Sequence, residues 1–459
     1  MNGITRANVR DGGVVIDTNG YDVTIAQNLL HSDIVGDNAT DGGLTKNGAG
    51  MLTVTGENTF TGDVTVNAGT LYAATGNGPN DQAFSYVSGI TVNEDATLSS
   101  GPNGLFGWDG SQEKAIVVNG GTLLADAGAD IRVGTVTLNG GTLATLGASE
   151  EFGSWRFDDA TDKLLVTNDA TASAVNVKFQ NGAAIDVVAG RKLTFTGTVT
   201  DTNFAGPSSL VQSGGGGDVV LAAANTYSGS TTVDAGRLVV NGAINNTSGV
   251  TVAGGARLGG RGSVGKAGTS VVIHGILQMG DNSAGTVVAG TLAVIGNISV
   301  SSTGIMEFDL FANHGGATNV AGVDNDLLAL NGSFLLEDGG AVVLNNLGTA
   351  AGNWTAGDRW KLIDWSGISG SDIGSFTFTS DMDAALAALN LKWDTSHLFD
   401  TDYVNNALAG TVTLAMVPEP SRAMLVFVSS LFLVVGRRRK KSTGRKLATQ
   451  SAPRPSCLV

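Results

Sequence analysis

The sequence is poor in several residue types, and each shortage excludes a class of protein. Of its 459 residues, 7 are Pro, 6% are aromatic and 15% are charged. Collagen requires Gly at every third position and abundant Pro, so the 67 Gly residues do not indicate it. The low charge argues against a coiled coil, and a hydrophobic share of 42% argues against a disordered chain. We therefore predict an extended all-β protein with many short strands and tight turns.

The single cysteine, Cys457, lies third from the end of the chain. One cysteine allows neither a disulfide within the chain nor a zinc site with several Cys ligands. Prenylation requires Cys at the fourth position from the end, which is Ser456 here. We interpret Cys457 as an inert thiol in a tail.

Charge of the two signs is distributed unevenly. Up to Val417 there are 17 Lys and Arg against 40 Asp and Glu, whereas the remaining residues hold 9 basic side chains and 1 acidic one. The net charge is therefore −23 for the body and +8 for the end of the chain. An acidic body repels phosphate, so we do not expect nucleic acid as a partner.

The body contains an internal repeat, clearest at residues 43–71 and 210–238. The first copy contains G-L-T-K-N-G-A-G-M-L-T-V, N-T-F-T-G and V-T-V-N-A-G-T-L. The second contains N-T-Y-S-G and T-V-D-A-G-R-L, with Ser213 in the position of Lys46. Two shorter echoes, I-V-V-N-G-G-T-L and V-T-L-N-G-G-T-L, begin 20 residues apart. Such self-similarity is typical of solenoid proteins.

Each unit alternates apolar and polar residues, as in Leu52, Thr53 and Val54, so one face of each strand is apolar. One unit cannot bury that face alone, but stacked units share a continuous interior. The spacing near 20 residues suits one coil of a parallel β-helix. An antiparallel sandwich also has turns between short strands, but the tandem N-G-G-T-L echoes favour the β-helix.

Residues 43–71 resemble the autotransporter-associated β-strand repeat in their G-L-x-K-x-G-x-G, N-T-[YF]-x-G and V-x-x-G-x-L pattern. The resemblance implies a right-handed parallel β-helix of the kind found in secreted passenger domains, which we assign to residues 1–345. The pattern changes after residue 345, so we interpret 346–416 as a β-rich C-terminal cap that closes the end of the solenoid. We expect a short helix within 381–391 and closing strands near Trp393 and at 408–416.

Residues 417–441 combine three features in a fixed order. These are the motif Val417, Pro418, Glu419, Pro420 and Ser421, then the apolar run 423–435, then the basic cluster Arg437, Arg438, Arg439, Lys440 and Lys441. The order resembles the PEP-CTERM sorting signal. In that family a membrane exosortase is thought to cleave near the Pro-Glu-Pro motif. The resemblance implies export to the cell surface or exopolysaccharide matrix of a Gram-negative bacterium.

The apolar run would span about 20 Å as a helix, against about 30 Å of hydrocarbon. We therefore expect a short transmembrane helix that anchors the chain transiently at the inner membrane. The alternative is an ordinary single-pass tail that anchors the protein permanently. We expect residues 442–459 to be a disordered tail. Residues 1–10 show no signal-peptide pattern, so we infer that the true N-terminus with its signal lies upstream.

No motif predicts a catalytic centre or a resident cofactor. Residues 260–267 nearly match the P-loop pattern, but Ala267 replaces the required Ser or Thr and a strand is expected to follow. The pairs Asp324 with Asp326 and Asp381 with Asp383 could bind calcium weakly. We therefore predict no cofactor beyond weak calcium binding.

The predicted function is that of a structural or adhesive surface protein, not an enzyme, with extracellular polysaccharide as a possible partner. The alternative is a secreted carbohydrate-active β-helix enzyme, a lyase or glycosidase, that uses carboxylates in turns. Two charge clusters fit that alternative loosely: Asp126, Asp130 and Arg132, and Asp158, Asp159 and Lys163.

Overall fold

A computed structural model describes residues 4–417, except 75–82, 102–104, 107–113, 127–129, 148–153, 202–205, 284–286, 315–318 and 349–353. Contacts divide the chain into two units, Met1–Ala415 and Met416–Val459. Met416 and Val417 are the described residues of the second unit. The fold that follows is therefore that of the first unit.

Short strands from successive coils pair in parallel and stack along the molecule. The first sheet contains 15 strands, each paired with its counterparts in the coils before and after it. They are β3 (Val23–Ile25), β6 (Met51–Val54), β8 (Gly69–Ala73), β10 (Ala96–Ser100), β12 (Thr122–Ala125), β15 (Thr142–Thr145), β18 (Ala170–Ala172), β21 (Lys192–Phe195), β23 (Asp218–Leu221), β25 (Arg237–Val240), β28 (Arg257–Gly260), β31 (Ile276–Met279), β34 (Ile305–Leu310), β36 (Gly340–Asn346) and β39 (Phe376–Ser380).

The second sheet consists of the strands that directly precede the first-sheet strands along the chain. Its strands are β2 (Val14–Asp17), β5 (Leu44–Asn47), β7 (Val64–Val66), β9 (Ile90–Val92), β11 (Ile116–Val118), β14 (Val136–Asn139), β17 (Lys163–Asn168), β20 (Ala184–Val187), β22 (Leu210–Gln212), β24 (Thr231–Val233), β27 (Val250–Val252), β30 (Ser270–Ile273), β33 (Asn297–Val300), β35 (Leu327–Leu336) and β38 (Ile363–Ile373). The pairing is parallel from β2 to β38.

A third, interrupted face follows the first-sheet strands. Its strands are β1 (Ala7–Val9), β4 (Leu29–His31), β13 (Asp130–Arg132), β16 (Ser154–Phe157), β19 (Val177–Phe179), β26 (Ala243–Ile244), β29 (Ser263–Val264) and β32 (Thr291–Ile295). Their pairing is also parallel, and β32 continues onto the first half of β35. The long strand β35 thus belongs to two faces, because its second half pairs with β33 of the second sheet.

The interior is a stack of apolar side chains at matching positions in successive coils. Leu52, Leu71, Leu98, Leu123 and Leu143 are neighbours in register along the first sheet, and all are fully buried. Strand pairing brings equivalent side chains to about 4.8 Å spacing, so each leucine packs on the leucines above and below it. The apolar face that one coil cannot cover is therefore covered by its neighbours.

The corner between the second and first sheets is held together by polar side chains. Lys46 is fully buried, and its Nζ donates hydrogen bonds to the carbonyl oxygens of Asn47 (3.0 Å), Gly48 (2.7 Å) and Ala68 (3.0 Å). Burial lowers the pKa of the Lys46 ammonium. The residue thus links the turn of its own coil to the turn of the next.

Outside this corner runs a ladder of asparagines, Asn47, Asn67, Asn93, Asn119 and Asn139. From Asn67 onwards, each Nδ2 donates to the Oδ1 of the asparagine one coil earlier, at 2.8 to 3.3 Å. Glycines allow the sharp turn that follows. A Cβ at Gly50, where φ is 89°, would lie 2.5 Å from the carbonyl oxygen of Tyr21. The ladder therefore fixes the turns of five coils in register.

Asn58 and Asn225 join consecutive coils at the third face in the same way. The Oδ1 of Asn58 accepts from the Leu29 N–H (2.9 Å), and its Nδ2 donates to Gly56 (3.0 Å) and Ala83 (3.2 Å). The Oδ1 of Asn225 accepts from the Val199 N–H at 2.9 Å. Its Nδ2 donates to the carbonyls of the residues Ala223 (2.9 Å) and Ala243 (3.3 Å). The asparagine of the N-T-[YF]-x-G motif is thus a buried bridge across three coils.

The structure corrects one detail of the repeat alignment. We expected Ser213 to occupy the position of Lys46, but the buried residue there is Gln212. Its Nε2 donates to the carbonyl oxygens of Gly217 in its own turn (3.0 Å) and of Arg237 in the next coil (3.2 Å). The Lys46 ammonium likewise donates to its own turn and to the next coil. The turn of the second copy contains one additional residue, which shifts the sequence alignment by one position.

The last coils are closed by a small three-stranded sheet, a helix and aromatic side chains. The sheet contains β37 (Arg359–Lys361), β40 (Leu391–Asp394) and β41 (Thr411–Met416), and the helix α1 is Asp383–Ala388. Trp360 contacts Trp354 and Trp393 at centroid distances of 5.1 and 5.7 Å. The expected helix and both closing strands are therefore confirmed.

The predicted all-β fold with parallel strands is confirmed, and the antiparallel sandwich is excluded for the described coils. The right-handed sense of the coil stays a prediction. The domain boundary at residue 345 also stays a prediction, and strands β38 and β39 continue the two stacked sheets beyond it. Among the described residues, no helix is long and apolar enough to cross a membrane. The predicted transmembrane run 423–435 lies outside them.

The bridging role of Asn58 predicts that Asn58→Ala lowers the free energy of unfolding by about 2–4 kcal/mol, because three buried backbone groups lose their partner. Urea unfolding followed by circular dichroism measures this loss. The matched control is Asn67→Ala in the exposed ladder, which should cost less than about 1 kcal/mol. An equal loss in both variants would contradict the bridge.

Candidate functional site

The densest group of charged side chains lies on the third face, on β13, β16 and β19. Arg132, Arg156 and Lys178 are neighbours in register on these three strands. The side chains of Arg156 and Lys178 are only 4% and 1% exposed. Three cations at successive strand positions repel one another unless carboxylates lie among them.

Asp130 and Asp158 provide those carboxylates. Arg156 pairs with Asp130 at 2.9 Å and with Asp158 at 3.3 Å. Arg132 pairs with Asp158 at 3.2 Å, and Lys178 lies 3.6 Å from Asp130. Burial raises the pKa of Asp158, and the Arg132 guanidinium opposes that shift. The five side chains form one ionic network in which every carboxylate contacts at least one cation.

The network includes part of what the sequence predicted and two residues that it missed. Asp130, Arg132 and Asp158 come together although they were placed in two separate clusters. Arg156 and Lys178 are missed from the sequence because each stands alone as a charge between aromatic or apolar residues. The alternation W-R-F and V-K-F could have identified both as outward positions of a third parallel strand in each coil.

The other predicted carboxylates lie elsewhere. The Tyr72 hydroxyl donates to Asp126 at 2.8 Å, and burial with this bond raises the pKa of Tyr72 to about 12. Asp159 accepts from the backbone N–H and the hydroxyl of Thr161, which lowers its pKa. Lys163 is exposed. Of the residues in the two predicted clusters, Asp130, Arg132 and Asp158 are the members of the ionic network.

Asp309 and Asp326 form a buried acidic pair in the C-terminal coils. Asp326 accepts from the backbone N–H groups of Gly290 and Asp309, both at 3.1 Å. The Asp309 carboxylate accepts from the side-chain amides of Asn282 (2.8 Å) and Asn345 (2.9 Å). Burial, followed by the nearby Asp309 carboxylate, raises the pKa of Asp326 to about 8. One member of the pair therefore holds a proton at neutral pH.

The aspartates of the predicted calcium pairs have partners within the protein. Asp324 contacts His314 Nδ1 at 3.0 Å and accepts from the Val320 N–H at 2.7 Å, whereas Asp326 faces Asp309. Asp381 accepts from the backbone N–H of Asn346. Within the described part of the chain, no group of three or more His, Cys, Asp or Glu side chains is arranged to hold a metal ion. Weak calcium binding stays an untested prediction.

The segment 260–267 is a turn of the solenoid. Gly260 ends β28, β29 covers Ser263–Val264, and the next element is the strand β30. A P-loop requires a helix after the glycines, whose N-terminus meets the phosphate. The strand expected after this segment is confirmed, and it stands where a P-loop requires a helix.

The predicted sorting signal lies almost entirely outside the described residues. Val417 is described and is 42% exposed. Pro418, Glu419, Pro420 and Ser421, like the cluster Arg437, Arg438, Arg439, Lys440 and Lys441, are not. The signal and its cleavage therefore stay predictions.

Comparison with known families identifies the repeats. Two segments, residues 44–73 and 210–240, match the Passenger-associated-transport-repeat. The first segment covers all but Gly43 of the copy at 43–71, the second contains the copy at 210–238, and each includes the buried residue that binds the turn, Lys46 or Gln212. The repeat part of the predicted resemblance is therefore confirmed.

A curated relative supports the same assignment. The chain is 30% identical over 286 residues to the adhesin BmaC autotransporter of Brucella suis biovar 1 (strain 1330). The match covers 51% of this chain but 8% of the adhesin's length. The similarity therefore concerns a stretch of coils and not the whole adhesin.

The raised pKa of Asp326 predicts a pH-dependent stability. Between pH 4 and 8 the folded state binds a proton that the unfolded state has lost, so its contribution to stability declines as pH rises through about 8. Asn cannot ionise, so the melting temperature of Asp326→Asn should decline less between pH 6 and 9, by several degrees. The exposed-acid control Asp372→Asn should follow the wild type. Parallel melting curves for wild type and Asp326→Asn would contradict the raised pKa.

Proposed function

We propose that this chain is an exported structural and adhesive protein of the cell surface or extracellular matrix. The observation that carries the proposal is the continuous parallel stack in a chain that has two transport repeats and resembles an adhesin over 51% of its length. A stack of this kind presents long, regular outer faces, while its interior is filled by side chains. Such a molecule acts through its surface.

The charge of the body suits an exported protein. A net charge of −23 up to Val417 keeps the molecule soluble and attracts cations from the medium. Extracellular polysaccharide is the partner that we expect. The polar outer faces, rich in Thr and Asn, support this expectation because hydroxyl and amide groups bind sugar hydroxyls.

We further propose that the C-terminal segment directs sorting. The short apolar run anchors the chain transiently at the inner membrane, with the basic cluster on the cytoplasmic side. An exosortase then cleaves near Pro418, Glu419 and Pro420 and releases the body. The length of the run, shorter than a bilayer-spanning helix, supports a transient anchor.

Mass spectrometry of the mature protein from its native host tests this route. We expect a C-terminus near Pro418–Pro420 on the released protein. Replacing Pro418, Glu419 and Pro420 by alanine should retain the whole chain at the inner membrane, whereas the control Lys446→Ala should be processed normally. A released protein that keeps its Arg and Lys residues would overturn the sorting proposal. Intact wild-type chain at the inner membrane would favour the permanent anchor.

The alternative is a secreted carbohydrate-active enzyme, and the grouping of Asp130, Arg132 and Asp158 supports it. We expect no cleavage when the purified chain is incubated with neutral and acidic polysaccharides, with or without calcium. The measurement is the release of reducing ends. Cleavage that Asp130→Asn or Asp158→Asn abolishes would establish the enzyme and contradict a purely adhesive role.

A further inference from the structure

Five coils present a regular array of hydroxyl and amide groups on the second sheet. One column contains Thr45, Thr65, Thr91, Val117 and Thr137, which are neighbours in register. The second column is the asparagine ladder, two residues further along each strand. The inward residues between them, such as Lys46 and Val66, are buried, so both columns face outward. We call these ten positions the Thr-Asn strip.

The hydroxyl groups of the strip are available to a ligand. Thr45, Thr65, Thr91 and Thr137 are all partly exposed. Their hydroxyls form no hydrogen bond with any other residue in the described ranges. The turns beside the strip contain two or three residues, while the long connections of these coils follow the first-sheet strands. The strip therefore lies beside short turns.

The strip is uncharged although the protein is strongly acidic. None of its ten positions carries a charge, whereas the body has a net charge of −23. The strip itself offers a cation no carboxylate, and the negative charge of the surrounding body repels an anionic partner. The ligand that fits is neutral and rich in hydroxyl groups.

The periodicity of the strip selects a polymer. Asn recurs on all five coils and Thr on four of them, with Val117 on the other, at a spacing of about 4.8 Å, so the five coils span about 19 Å along the axis. A small ligand would contact one or two coils. An extended polymer with a repeating unit can meet equivalent groups on each of them.

An exposed aromatic residue lies in the turn of the coil that precedes the strip. Tyr21 is 72% exposed and occupies the turn of the preceding coil. That turn packs on the turn after Asn47, since the Gly20 N–H donates to Ala49 at 2.8 Å. Tyrosine offers an apolar face and a polar tip, which suits stacking against the CH groups of a sugar ring.

We propose that the Thr-Asn strip, with Tyr21 in the neighbouring turn, binds an extended neutral polysaccharide that runs along the solenoid axis. The inference rests on the proposed adhesive function and assigns it a ligand class and a surface. The threonine hydroxyls and the free amide hydrogens of the ladder bind sugar hydroxyls on successive coils, and Tyr21 packs on a terminal ring.

Affinity electrophoresis of the full chain tests the proposal, with hydroxyethyl cellulose as the neutral probe and alginate as the anionic one. We expect hydroxyethyl cellulose to retard the wild type and alginate to leave its mobility unchanged. The variant Thr45→Val, Thr65→Val, Thr91→Val and Thr137→Val should bind at least about tenfold more weakly, because four hydrogen-bonding groups are lost. Tyr21→Ala should bind several-fold more weakly. Val has the shape and strand preference of Thr, so the fold is preserved.

The matched control makes the same four Thr→Val changes in overlapping coils, but on the first sheet. Thr97, Thr122, Thr142 and Thr171 form a column in register on the first sheet. Their replacement by Val should leave binding unchanged. Equal losses of binding in both quadruple variants, or no retardation of the wild type by hydroxyethyl cellulose, would overturn the proposal that the strip binds polysaccharide. If cells still display the chain and adhere through it in that case, the proposed function stands and only this ligand assignment fails.

Discussion

In-register parallel pairing between successive coils is the constraint on which the rest of this structure depends. A single coil has an apolar face that it cannot bury, and each strand has hydrogen-bonding groups on both edges. Stacking satisfies both needs at once, because each strand bonds to the equivalent strand of the next coil. Equivalent residues are then about 4.8 Å apart, and the leucines of the interior and the asparagines of the corner become continuous columns.

The same constraint determines how buried polar groups are accommodated. Lys46 and Gln212 differ in charge, yet both donate to carbonyl oxygens of their own turn and of the next coil. Asn58 bridges three coils. On the third face, Asp130 and Asp158 separate three stacked cations that would otherwise repel one another. Neighbouring coils thus provide the partners for groups that would be costly to bury alone.

A molecule built in this way offers surfaces for function. Its interior is filled by side chains of successive coils, and its outer columns repeat one chemical group many times. The Thr-Asn strip repeats hydroxyl and amide groups, whereas the charges of the ionic network on the third face are largely buried and paired with one another. Repetition along an axis matches an extended partner, which agrees with a role in adhesion to a polymeric matrix.

The sequence by itself determined the all-β class, the repeat and the positions of the closing strands, because these depend on local alternation and turn chemistry. Leu52 and Val54 face inward because a polar residue separates them along their own four-residue strand. Only the tertiary structure decided which distant residues meet. Asp130, Arg156 and Lys178 lie on three different coils, and the lengths of the connections between coils vary, so their register could not be calculated from spacing. The additional residue in the turn after Gln212 also could not be recognised from spacing. It placed the buried residue that binds the turn one position away from the residue aligned with Lys46. Side chains that act across coils are fixed by strand pairing, and that pairing is a property of the whole stack.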